Sequence, residues 1–270
     1  MNAGYPTLSG ESTVVPILGD PIAQVKSPDG VTRLLTARGA NSVVVPMHVE
    51  PADLDRFVDG ISLAHSVSGL IVTAPHKFSA YAHCATATDR AHFLGSANVL
   101  RRNPDGSWHG DQVDGLAFVR AAIAAGCVPE GAKALQVGAG GAGSAIALAL
   151  LEAGVAELAL HDADARRRDA LVGRLRERFD DRVVLGSADP TGRTVVANAT
   201  PMGMREGDPF PVAVEALDPS MFVGDVITKP AISPLVQAAR ATGCTTSTGG
   251  DMFASVSELI VDFLLDGGAR

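Results

Sequence analysis

Val137-Gly138-Ala139-Gly140-Gly141-Ala142-Gly143 decides how this chain is read. It follows the run Ala134-Leu135-Gln136-Val137 and opens into Ser144-Ala145-Ile146-Ala147-Leu148-Ala149-Leu150-Leu151. Strand, tight turn and helix in that order give G-x-G-x-x-G its meaning as a dinucleotide site. Gly138 permits the sharp turn, Gly140 lets the backbone approach a pyrophosphate, and Gly143 lets helix and strand pack closely. The helix start offers N–H groups and a positive dipole end to phosphate. Ala139, Gly141 and Ala142 complete the expected cofactor loop.

The next strand, residues 157–161, leads into Asp162. An acid about 20 residues past the glycines accepts hydrogen bonds from the adenosine ribose and repels a 2′-phosphate. Asp164 adds to the repulsion, so the residues read as NAD. Arg166, Arg167 and Arg168 keep NADP as the alternative.

More than a hundred residues precede this loop, so another domain is built first and should hold the substrate. It alternates too. Residues 13–19 and 42–49 are apolar or β-rich, and residues 69–73 form a third strand ended by Pro75. Ser27-Pro28 opens a helix, with Ser27 as N-cap and Pro28 at the first helical position. Residues 51–61 form a second helix, and a third starts near His76-Lys77. A small hairpin turns around Asn103-Pro104-Asp105-Gly106, a strong turn signal. Asp114 begins a long linking helix. Strands alternating with helices give an α/β fold with mainly parallel sheets. The expectation is two α/β domains with ligand in a cleft between them. Residues 1–113 plus 246–270 form the substrate domain, and residues 114–245 form a Rossmann-type doubly wound domain. Its five expected strands lie near residues 134–137, 157–161, 182–185, 194–197 and 221–225, and a final helix covers residues 250–265.

Composition narrows the function. The chain has 270 residues and a formal charge of -8. That sign argues against nucleic acid. No uncharged apolar run is long enough to cross a bilayer. Residues 1–10 lack the basic start and apolar core of a signal peptide and read as a frayed lead-in. Cys84, Cys127 and Cys244 are far apart and odd in number, which implies no disulfide framework and a reduced, cytoplasmic setting. The seven histidines show no ligand spacing; His76 and His83 are placed to share a helix face, but no third ligand joins them, so no metal is expected. No G-x-S-x-G is present, which argues against a serine hydrolase.

Several segments together resemble the shikimate dehydrogenase family, which includes quinate/shikimate dehydrogenases. Residues 17–28 (ILGDPIAQVKSP) resemble its opening strand and S-x-S-P substrate loop. Residues 71–77 (IVTAPHK) resemble N-V-T-x-P-x-K, and residues 95–100 (GSANVL) resemble G-A-x-N-T. Residues 110–115 (GDQVDG) resemble G-x-N-T-D-G, and residues 198–203 (NATPMG) resemble N-A-T-x-x-G. Order and spacing hold from about residue 14 to 265. The resemblance implies reversible hydride transfer between a nicotinamide cofactor and a cyclic secondary alcohol or hydroxy acid, in aromatic amino acid biosynthesis. Lys77 and Asp114 are the implied catalytic pair. Ser27, Thr73, Asn98 and Thr228 are the implied substrate ligands. Thr200, Val226, Gly249 and Met252 join the glycine loop and Asp162 at the cofactor. A lysine on the alcohol oxygen takes its proton or stabilises the charge that develops there. The expected state is monomer or homodimer.

Departures from the pattern carry a second expectation. Val25 stands where the family has a serine, Ile71 for asparagine, Val113 for threonine, Thr228 for tyrosine and Val256 for glutamine. Asp162-Ala163-Asp164 replaces N-R-T. The groups lost are those for ring carboxylate and spare hydroxyls, which points to a substrate less hydroxylated than shikimate. A non-catalytic dinucleotide sensor is the competing reading. It has no need of both Lys77 and Asp114.

Overall fold

The computed structural model describes residues 5–266. Residues 1–4 of the expected lead-in, and 267–270 of the expected substrate domain, lie outside the described residues. The chain divides into two compact units. One holds the residues up to Val113 and those from Ser257 on; the other holds Asp114–Val256. The second division thus falls inside the last helix, later than the expected break at residue 245.

The first unit is built on a six-stranded mixed sheet. Its strands are β1 (Thr13–Gly19), β2 (Ser42–His48), β3 (Gly69–Val72), β4 (Cys84–Ala87), β5 (Val99–Arg102) and β6 (Trp108–Asp111). They lie in the order β2-β1-β3-β5-β6-β4. β1 runs parallel to β2 and β3, whereas β5 is antiparallel to β3 and β6. Central β3 is buried throughout, so its sequence GLIV shows no alternation. Helix α1 (Ser27–Ala37) buries Val31 and Leu35, four apart on one face. Lys26, not Ser27, occupies the N-cap position and makes no side-chain cap, because Ser27 is already helical and buried. α2 (Leu54–Ser62) follows a 3-10 turn, and α3 (Lys77–Tyr81) is a single short helix. β4 and α4 (Asp89–Leu94) were not anticipated; both are too short to show a period. The core gathers Leu18, Leu54, Val58, Leu70, Leu100 and Trp108.

The second unit has six parallel strands: β7 (Lys133–Val137), β8 (Glu157–His161), β9 (Val183–Leu185), β10 (Val195–Asn198), β11 (Phe222–Asp225) and β12 (Thr245–Ser247). Their order is β12-β11-β10-β7-β8-β9. Numbered within the unit this is 3-2-1-4-5-6, the doubly wound dinucleotide order. β12, three residues without apolar character, is one strand more than expected. Helices α5 (Asp114–Ala124) and α6 (Gly141–Glu152) pack closely, since a Cβ on Gly115 would lie 2.0 Å from Ala145 O. α6 is buried nearly all round, which suits its run of Ala, Leu and Ile. α7 (Ala165–Phe179), α8 (Pro234–Thr242) and α9 (Gly249–Leu265) complete the helices. The last turns of α9 belong to the first unit, where Phe263 stacks on His109 at 5.6 Å between ring centroids.

Candidate active site

In the first unit, strand directions bring the expected residues to one sheet edge. β1 and β3 are parallel, so their carboxyl ends, Gly19 and Val72, are neighbours. A Cβ on Gly19 would sit 2.5 Å from Thr73 Cγ2, so the exit of β1 needs glycine beside Thr73. The chain then runs to Ser27, which is buried at the start of α1. β5 runs the other way, which sets Asn98, just before it, at the same edge.

Backbone bonds knit that edge. Val72 N–H donates to Asn98 O at 2.8 Å, Thr73 N–H to Leu18 O at 2.9 Å, and Ala97 N–H to Lys77 O at 2.9 Å. His76 is buried and its Nε2 donates to Val49 O at 2.7 Å, which fixes the residue before Lys77. His83 lies beyond α3 and pairs with Asp55 at 3.0 Å; the two histidines do not share a helix face. Asn98 Oδ1 accepts the Val113 N–H at 2.9 Å. That bond fixes the backbone directly before Asp114, a buried residue at the head of α5.

Two residues the sequence reading missed support this corner. Asp111 is buried, and its carboxylate accepts from Thr88 Oγ1 at 2.5 Å, from Gln112 N–H at 2.7 Å and from Arg90. Arg90 and Asp111 come from separate elements, so no spacing announced the pair.

The second unit gathers its groups at the carboxyl edge of the parallel sheet. β7 and β10 flank the point where the strand order reverses, the usual ligand position in such sheets. Gly138 has φ +104°, and a Cβ there would lie 2.7 Å from Ala199 O and 2.9 Å from Thr200 Cγ2. A Cβ on Gly143 would lie 2.2 Å from Gly138 O. Gly140, in contrast, has nothing within 4 Å of an added Cβ, so its surface is open. A flat turn closed below and open above fits a pyrophosphate. The N–H groups of Gly141, Ala142 and Gly143 head α6 and have no intrahelical acceptor.

Asp162 is drawn into the turn. Its Oδ2 accepts the Ala139 N–H at 2.7 Å and its Oδ1 the Asp164 N–H at 2.8 Å. Each oxygen keeps a lone pair for a ribose hydroxyl. Asp164 caps α7, accepting from the Arg166 and Arg167 N–H groups. Arg167 reaches the Asp164 carboxylate at 3.3 Å, so this arginine is engaged with the acids that face it.

Asn198 and Asp225 sit at the ends of β10 and β11. Asn198 Oδ1 accepts the Thr200 N–H at 3.0 Å and hydroxyl at 2.7 Å, and its Nδ2 donates to Asp225 Oδ1 at 3.1 Å. Asp225 also accepts from Ile227 N–H and Ser233 Oγ. Burial pushes its carboxyl above the ordinary range, and the bonds from Ser233, Ile227 and Asn198 oppose that rise. The pair positions Thr200 on one loop and Val226 and Thr228, both half-buried, on the next. Gly249 opens α9 against that second loop, since a Cβ there would lie 2.2 Å from Ile227 O. Met252 is buried in the first turn. Among the described residues, no three His, Cys, Asp or Glu side chains cluster to hold a metal, and no helix is long and apolar enough to cross a membrane.

The chain and its fold resemble known proteins. A family model described as the shikimate dehydrogenase substrate binding domain matches residues 17–100. A shikimate dehydrogenase (NADP(+)) of Rubrobacter xylanophilus is 36% identical over 249 residues, 90% of this chain and 87% of that protein. One from Paracoccus denitrificans is 34% identical over 240 residues, covering 86% and 83%. Among solved structures, quinate dehydrogenase from Corynebacterium glutamicum in complex with NAD superposes with a TM-score of 0.85 at 26% identity, over 94% of each chain.

Proposed function

This chain belongs to the shikimate dehydrogenase family and is an NAD(P)-dependent oxidoreductase of that type, and from that premise we propose that Lys77 and Asp114 carry its proton chemistry. The turn from Gly138 to Gly143 and Asp162 would hold a nicotinamide dinucleotide, which would supply the hydride chemistry when bound. Lys77 binds the alcohol oxygen, receives its proton as the carbon is oxidised, and returns it in the reverse direction. The Asp114 carboxylate favours the charged ammonium and shares the proton path. Asn98 acts on the geometry: its carbonyl oxygen accepts the Val113 N–H, so it sets the backbone that presents Asp114. Ser27, Thr73 and Thr228 are assigned to the substrate's other oxygens. The observation that carries the reading is the sheet edge where backbone bonds tie Thr73 to Leu18, Lys77 to Ala97 and Asn98 to Val72.

The substrate is a cyclic hydroxy acid or alcohol with fewer polar groups than shikimate. Val25, Ile71, Val113 and Val256 supply apolar surface at positions that the family fills with polar side chains; Ile71 and Val113 are buried. A buried polar group left without its partner costs about 1–3 kcal/mol. NAD is preferred over NADP, although the relatives from Rubrobacter and Paracoccus carry NADP(+) in their names. Support comes from Asp162, held facing the turn, and from Arg167, which pairs with Asp164 at 3.3 Å and lies 4.0 Å from Asp162. The free thiols Cys84, Cys127 and Cys244 fit a reduced, cytoplasmic setting.

The test follows NADH and NADPH absorbance with shikimate, quinate and simpler cyclic hydroxy acids. Highest kcat/KM with NAD and a less hydroxylated ring is expected. Efficient shikimate turnover with NADP would overturn both the substrate and the cofactor assignment.

A further inference from the structure

The peptide joining Gly138 to Ala139 is gripped at both ends. On its carbonyl side, Gln136 Nε2 donates to Gly138 O at 2.9 Å and also to Gly143 O at 2.8 Å. On its amide side, Ala139 N–H donates to Asp162 Oδ2 at 2.7 Å. Gly138 N–H is taken as well, by His161 O at 2.8 Å. Two carbonyl acceptors define the orientation of the Gln136 amide, because only its NH2 end serves both.

Gln136 is an expensive choice for a strand. It is fully buried in β7 between Leu135 and Val137. Its Oε1 is buried with no hydrogen-bond partner among the described residues. An unmet buried acceptor destabilises a fold, and an apolar side chain of the same shape would avoid that cost. Its two donors offset that cost and point at the two ends of the glycine turn, where they meet the Gly138 and Gly143 carbonyls.

We propose that Gln136 is a positioning residue for the dinucleotide: it ties Gly138 to Gly143 and so sets the N–H groups of Gly141, Ala142 and Gly143 as a fixed cradle for the pyrophosphate. This inference rests on the reading that the loop binds a nicotinamide dinucleotide. Because the pyrophosphate is common to both cofactors, Gln136 serves NAD and NADP alike.

The test is calorimetric titration of the full-length protein with NAD and with NADP, using wild type and Gln136→Met. Methionine keeps the length, removes both donors and removes the orphaned acceptor. The Kd for each cofactor is expected to rise ~tenfold, by the same factor for both. The unfolding midpoint should fall, because Gly138 O loses its donor, while the KM for the alcohol stays near wild type; a merely structural role would lower the midpoint and leave the Kd of the folded protein unchanged. An unchanged Kd overturns the proposal, and so does a rise confined to one cofactor. Should the variant fail to fold, NMR on the wild type decides: the Gln136 side-chain NH2 protons should exchange slowly in the free protein. Exchange at the rate of an open amide overturns the proposal. If wild type binds neither dinucleotide, the loop reading itself falls; if wild type binds and Gln136→Met binds equally, only the role of Gln136 falls.

Discussion

The two units present functional groups at a sheet edge by different means. In the second unit all six strands are parallel, and the edge presents mostly backbone: a glycine turn, a helix start and the tight approach of Gly249 to Ile227. In the first unit the antiparallel β5 and β6 return the chain to the edge where β1 and β3 end. That edge presents side chains, Lys77 and Asn98, set by ordinary hydrogen bonds. Sterics therefore govern substitution in the second unit, and chemistry governs it in the first.

The strongest way to break this contrast is Lys77→Ala. It should lower kcat by roughly 10²–10⁴-fold while leaving the cofactor Kd unchanged. Wild-type turnover by the variant would remove Lys77 from the mechanism. In the second unit, two glycines separate packing from binding. Gly143→Ala forces a Cβ to 2.2 Å from Gly138 O, and such overpacking costs about 1–3 kcal/mol, read from chemical denaturation. Gly140→Ala meets nothing within 4 Å, so stability should hold while the Kd for NAD rises. Equal stability losses in both variants would contradict the open surface assigned to Gly140.

Asp162→Asn sharpens the cofactor assignment. The Asn oxygen still accepts the Ala139 N–H, but the charge is gone. The ratio of kcat/KM for NADP over NAD should increase about tenfold or more, a change of ~1–3 kcal/mol. The smallest effect concerns the thiols. Burial pushes Cys84 up to about 12 and Cys127 up to about 11. Both should therefore stay protonated at pH 8, with less thiolate than a free cysteine, whose pKa is about 8.5. Iodoacetamide at that pH should leave both unmodified in the folded protein, as mass spectrometry would show. Rapid alkylation of either would contradict its burial.

Legibility followed the same division. The glycine turn could be read because each position restricts the residue type: φ +104° and a carbonyl 2.7 Å from a would-be Cβ leave Gly138 little choice. Strands β7 and β8 were visible as apolar runs. β4 and β12 were not, since short strands of Thr, Ser, Cys and Ala carry no pattern. Gln136 was read as part of an apolar run, although a polar residue inside such a run was the available signal. Arg90 and Asp111 gave no signal, because their pairing depends on β6 and α4 meeting in space.

The sequence alone determined the α/β class, the doubly wound unit and the family, because glycine spacing and strand–helix alternation are local properties. Tertiary structure decided which way β5 and β6 run, and thus that Asn98 meets Val72 and holds Val113. It also decided that Gln136 and Asp162 grip one peptide from opposite sides. Those facts depend on strand direction and on burial at distances of a few ångström, which no linear pattern encodes.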